Sequence, residues 1–185
     1  MKTCGLKYPP IKYSIPTHVF YHQGVSRHEI TGELIDHFIA FSTKKKDRGA
    51  KAFLQCMAST VDRDGMTDVP SVYVKNLISL PSGMGLGTSC LDFAQVYSKK
   101  KGCNGYLHLL ASASYTPNRI PHIFYRKYGM NTNCATTNKD LDKLIAKGKI
   151  ANYRDFSNID MYYPPIKNPT TPWQKVLMFF GIEIN

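Results

Sequence analysis

Alternation of apolar and polar positions is clearest in the middle of the chain. Residues 72–80 (VYVKNLISL) are β-branched and apolar enough for a buried strand, and a second strand is expected at 106–111 (YLHLLA). Between them Leu91, Ala94 and Val96 support a helix over 88–98. A short helix is predicted over 121–128, with Pro121 in its first turn and Gly129 after its end. Another is predicted over 138–147, closed by Gly148. The order strand, glycine turn, helix, strand, loop, helix describes one parallel β-α-β unit and implies an α/β or α+β sheet.

The flanks are read from the same patterns. Residues 17–21 suit a short first strand. Ser26 and Glu29 have capping-box spacing, and Ile30, Leu34, Phe38 and Phe41 follow at helical intervals, so a helix is expected there, ending in Lys44, Lys45 and Lys46. Residues 50–60 fit helix or strand equally. Residues 62–70, with Asp64-Gly65 and Pro70, read as a turn region. Residues 1–16 read as an extended surface arm containing Tyr8-Pro9-Pro10-Ile11-Lys12, and the same five letters return at 163–167. Two such distant copies are read as similar proline-stiffened edge segments rather than a repeat architecture. Residues 173–180 are apolar and read as a terminal helix, open to use as a homodimer interface or as closure of the core.

Composition changes this picture little. A chain of 185 residues is most simply one domain, 1–185, with the arm at 1–16, a binding core at 72–132 and an extension at 133–185. No apolar run approaches the roughly 20 residues of a membrane span, and the start lacks a signal-peptide pattern. Five cysteines, odd in number and without a C-x-x-C pair, argue against a disulfide framework or zinc site and for reduced thiols in a cytoplasm. No metal is expected. The net charge of +11 suits a polyanionic ligand. Nucleic acid is not the expected partner, because no recognition helix or aromatic-basic motif accompanies the charge. Lys99, Lys100 and Lys101 fall at the end of the central helix, where the helix dipole favours cations without a ligand.

The candidate chemistry lies in Gly83-Met84-Gly85-Leu86-Gly87-Thr88. Glycines between a strand and a helix let backbone N–H groups converge on a phosphate. A P-loop would need a lysine after its last glycine, but Thr88 follows Gly87. A dinucleotide fingerprint would place its third glycine at Cys90, and the acidic ribose ligand beyond it is missing.

The run from Ser82 to Gly87 resembles the [QR]-x-x-G-x-[GA] cofactor signature of the GNAT acetyltransferase superfamily. The strand at 106–111, then Asn118, then Phe124-Tyr125-Arg126-Lys127-Tyr128-Gly129-Met130, resemble that family's second half, so the likeness covers roughly residues 72–132. It implies a mixed sheet whose central parallel strands splay around acetyl-CoA, flanked by helices. It further implies that the backbone of Leu77, Ser79 and Leu80 pairs with the pantetheine amides. Gly83, Met84, Gly85, Leu86, Gly87 and Thr88 would hold the pyrophosphate, and Asn118 would bond the cofactor arm. Tyr125 would protonate the departing thiolate. The activity so implied is acetyl transfer to a primary amine of an unidentified acceptor, by direct attack in a ternary complex. A CoA-binding module without catalysis is the alternative.

Two departures bear on that activity. Ser82 replaces the family's Gln or Arg, and residues 72–80 carry no acidic group to serve as general base. His108 is the first substitute, since imidazole titrates near neutral pH; Asp68, Glu33 and Asp36 are others. Cys90, in the first helical turn, is read as a buried small residue rather than an activated thiol.

Overall fold

The structure is a computed structural model that describes residues 12–15, 18–44, 47, 49–112, 121–148 and 158–167. Asn118, the proposed helix at 173–180, Lys45, Lys46 and most of the arm, with its first proline motif, lie outside the described residues. The fold is α+β, with strands β1 (Lys12–Ile15), β2 (His18–Arg27), β3 (Leu34–Ser42), β4 (Lys51–Arg63), β5 (Met66–Leu80), β6 (Leu107–Ala111) and β7 (Ile159–Tyr163). The helices are α1 (Leu86–Lys100), α2 (Pro121–Tyr128) and α3 (Ala135–Ala146). The strands follow one another in chain order in a mixed sheet. The described residues fall into two compact units, one built from residues up to 60 with 70–105, the other from 61–69 with 106 onward.

In the first unit β1 to β4 pair as antiparallel neighbours. The helix expected over 30–41 is overturned: β3 runs through 34–42, paired with β2 from His18↔Ser42 to Arg27↔Leu34 and with β4 from Ile35↔Met57 to Phe41↔Lys51. The helix-spaced set would bury one residue in four, since Ile30 is 90% exposed and Leu34 and Phe41 also face water, while Phe38 is buried. Period-two packing wins because Asp36, Phe38 and Ala40 then share a face with Cys56, Leu54 and Ala52 on β4. Of the supposed capping box, Ser26 stands in β2 and Glu29 in the β2–β3 connection, where the Gly32 N–H donates to the His28 carbonyl and Thr31 Oγ1 donates to Glu33. Opposite β3, β2 carries a bulge between His22 and Gly24.

Residues 50–60, which fitted either state, are strand. The 62–70 turn region shrinks to Asp64 and Gly65, whose φ values of +55° and +78° suit a tight two-residue hairpin turn, and β5 resumes at Met66. Part of the arm, Lys12–Ile15, is β1, paired with β2 from Lys12↔Tyr21 to Ile15↔His18. The helix expected over 88–98 is α1. Its buried face is Leu86, Cys90, Leu91, Phe93, Ala94 and Tyr97. The Phe93 ring stacks on Phe20 of β2 at 4.3 Å and 5° and meets Phe38 of β3 edge-on at 4.8 Å.

In the second unit β6 and β7 pair antiparallel from Leu107↔Tyr163 to Ala111↔Ile159, with Leu107, Leu109 and Met161 buried. α2 stands where the sequence places it, and the helix expected over 138–147 is α3, which begins earlier, at Ala135, and ends at Ala146. They are joined by Arg126, which donates twice to Asp142 at 2.8 Å and once to the Met130 carbonyl. Asn131 clamps Ile166 through two hydrogen bonds of 2.8 and 2.7 Å. The hairpin tip at 61–69 is tied to the second proline motif. Buried Arg63 donates to the carbonyls of Tyr163, Pro164 and Pro165 and lies 4.5 Å from the Tyr106 ring centroid. Asp64 accepts from the Lys167 N–H at 2.7 Å and from Arg63. Among the described residues no helix is long and apolar enough to cross a membrane.

Phe93→Ala removes a ring held between two others and is expected to cost about 3–5 kcal/mol, read as a lower urea midpoint at unchanged slope. Burial alone would raise the Asp64 carboxyl, but the Lys167 N–H and Arg63 outweigh it and hold it below its ordinary value. A depressed folded value gives stability that is present at neutral pH and lost as pH falls through the acid range. Asp64→Asn should therefore flatten the acid side of the melting-temperature profile, measured by circular dichroism from pH 7 down to about pH 3.

Candidate functional site

β5 delivers the chain to an open turn at residues 81–85, and α1 starts immediately after it. Gly83 and Gly85 have φ values of +86° and +74°, a region that L side chains avoid, and a Cβ at either would meet nothing within 4 Å. The glycines are therefore required by backbone conformation, and the space above them is open. Gly85 is the N-cap of α1, with no side-chain cap and no acidic residue in the first turn. The first helical N–H to bond back is that of Ser89, to the Gly85 carbonyl at 3.1 Å. The N–H groups before it have no carbonyl above them within the helix and carry its positive pole. Ser82, Gly83, Gly85 and Thr88 are exposed, Met84 and Gly87 half-exposed, and only Leu86 is buried. Ser89 meets His18 of β2 at 2.7 Å, which fixes the first turn to the sheet.

Leu77, Ser79 and Leu80 lie on the last part of β5, so they and residues 83–88 belong to one unit. His108 on β6 and Tyr125 on α2 belong to the other. Tyr125 is 9% exposed, beside Phe124. His108 is half-buried opposite Tyr162, and burial lowers its pKa from 6.5 to about 4. The expectation that this imidazole titrates near neutrality is thereby corrected; it is neutral at physiological pH and a weak base.

The other candidate bases are placed differently from expectation. Asp36, expected on a helix, stands on β3 and accepts from His22 Nε2 at 2.8 Å and from the Tyr97 hydroxyl, with Lys101 Nζ at 3.5 Å. Three donors on one carboxylate, at the far end of α1 from the glycine turn, make it a tie between sheet and helix. Sequence reasoning missed this cluster, and nothing local signals it, because residues 22, 36, 97 and 101 are assembled from three elements and a helix end. Glu33 is half-exposed in the β2–β3 connection, and Asp68 is on the first part of β5. Cys90 is buried and its thiol is pushed up to about 12 by burial, so it is no activated nucleophile. Among the described residues no three His, Cys, Asp or Glu side chains gather as a metal site requires.

Compared with known protein families, with curated proteins and with solved structures, the chain has no match in any of the three.

His108 is expected to titrate near pH 4 by NMR rather than near 6.5. Because the folded chain then binds fewer protons than the unfolded one between those values, His108 should make stability rise as pH rises through that window. His108→Phe should reduce that part of the rise in a pH series of urea unfolding curves.

Proposed function

We propose that the chain is an acetyl-CoA-dependent N-acetyltransferase of GNAT-like fold that moves an acetyl group to a primary amine by direct transfer. One observation carries this reading. The turn at the head of α1 offers the backbone N–H groups of the first helical turn beside two left-handed glycines, without a capping side chain or an acidic residue in that turn and with open space above the glycines. That is the donor set a pyrophosphate needs, and the order β5, turn, α1, β6, α2 agrees with the resemblance over 72–132. Gly83, Gly85, Gly87 and Thr88 hold the diphosphate, and the backbone of Leu77, Ser79 and Leu80 takes the pantetheine amides as an added strand would. Tyr125 gives the proton to the departing thiolate. The free thiols of Cys56, Cys90, Cys103 and Cys134 suit a cytoplasmic setting.

A specific observation favours the second reading, a CoA-binding module without catalysis. No acidic residue stands in 72–80, Asp36 is engaged by three donors, and His108 is a weak base. The two readings share the glycine turn and part at the release of free thiol.

Calorimetric titration of acetyl-CoA is expected to give saturable binding, and Gly85→Val, which combines a strained φ with blocked space, should weaken it about tenfold or more. No heat at about millimolar cofactor would remove both readings. With an amine panel and a thiol-detecting reagent, Tyr125→Phe should lower turnover about 100-fold while leaving cofactor affinity unchanged. Binding without any thiol release leaves only the second reading.

A further inference from the structure

The face of the first unit's sheet turned away from α1 carries a set of residues that the proposed activity does not use. Register assigns them. Phe41 of β3 pairs with Val19 and Lys51, and Ile39 pairs with Tyr21 and Phe53, so these six side chains share one face in two adjacent rows. His18, Phe20 and His22, on the alternate positions of β2, face α1 instead. Phe41 and Phe53 are 39% and 40% exposed, which is unusual for rings in the middle of a sheet. Tyr21 meets Phe41 edge-on at 6.0 Å, and the two flank a hollow of about 420 Å³ bounded also by Val19, Ser42 and Thr43. Lys51 Nζ lies 5.8 Å from the Phe53 ring centroid.

The next row on the same face is polar. Ser26 Oγ meets His37 Nε2 at 2.7 Å, His37 Nδ1 meets Gln55 Nε2 at 3.0 Å, and Asn76 Nδ2 donates to Gln55 Oε1 at 2.5 Å. The bonds cross β2, β3, β4 and β5, with Ser26 reaching into the row of His37 from its own pairing with Ile35. They fix each group's orientation, while the two amides keep further donor and acceptor capacity. Among the described residues these three rows contain no carboxylate. The chain as a whole carries +11.

We propose that this face binds single-stranded nucleic acid. Tyr21, Phe41 and Phe53 are the stacking surfaces, Lys51 meets a backbone phosphate, and the row from Ser26 to Asn76 meets base edges. Rings on an open sheet face, a cation beside them and a net positive chain are the elements that bind unpaired bases with little sequence preference. The aromatic-basic motif absent from the linear sequence is assembled from three strands. Charge favours a polyanion over a second copy of this strongly basic chain.

The test uses fluorescence anisotropy of the full chain with labelled oligothymidine and oligouridine about 20 nucleotides long, and an abasic strand of equal length. The expected result is binding that weakens as salt rises, with the abasic strand bound at least about tenfold more weakly. Phe41→Ala and Phe53→Ala should each lose about tenfold. Phe53→Leu, which keeps apolar bulk without a π-face, should lose as much, and Phe53→Trp should retain affinity. Comparison of the two oligomers separates RNA from DNA as the ligand, through the 2′-hydroxyl. Equal binding of the abasic strand, full affinity in Phe53→Leu, or no binding at about 50 mM salt would overturn the proposal. So would a dimer in sedimentation that the Phe41/Phe53 double alanine variant dissolves while no strand binds, which would give the face to a second copy.

Discussion

The Phe93 ring held between Phe20 and Phe38 is the contact on which the first unit depends. A helix with one apolar stripe can slide or roll on a sheet unless something indexes it, and a ring parallel to one neighbour and edge-on to another does so in two directions. Polar ties then fix the two ends of α1, Ser89 with His18 at the first and Tyr97 with Asp36 near the last. The open glycine turn is presented by a helix fixed along its length. Such a donor set is organised before any ligand arrives, which is the condition for a helix N-terminus to hold an anion well.

The second unit is organised by polar groups to an unusual degree. Arg63 is withdrawn from water and donates to three successive carbonyls, that of Tyr163 at the end of β7 and those of Pro164 and Pro165 beyond it. Asn131 and Asn138 each bond both a donor and an acceptor of the backbone, so loops that lack ladders still have their peptide groups paired. Networks of this kind define one arrangement of the loops because a half-made version leaves buried groups unpaired.

What the sequence reveals and what it hides divide along the line between local and distant causes. The glycine turn, α1, α2 and α3 are legible because their signals lie within a few residues: positive-φ glycines, Pro121 at a helix start, Gly129 and Gly148 at helix ends. The segment at 34–42 misleads because Ile30, Leu34, Phe38 and Phe41 imitate a helix, and only pairing on both edges reveals a strand. Strand β7 passes unnoticed because its five residues sit among turn formers and draw their order from β6 and Asn131. In the candidate site, the glycine turn lies between a strand and a helix as the sequence reads it, with the helix beginning at Leu86 rather than at Thr88. The behaviour of His108 could not be read, since burial rather than residue type decides its pKa. Nor could the aromatic face, whose members are scattered between positions 21 and 53.

The bulge between His22 and Gly24 has a consequence for how β2 divides its work. Alternation would keep every even position from His18 onward beneath α1. One surplus residue, Gln23, inverts that parity, so Ser26 emerges on the opposite side beside His37. A single strand thus serves two neighbourhoods: its first half sends Phe20 beneath α1 and Tyr21 to the outer face, and its second half turns its even positions outward. Even positions before Gln23 and odd positions after it therefore lie on the same side of the sheet. A rule learned from one end of the strand would sort the other end backwards.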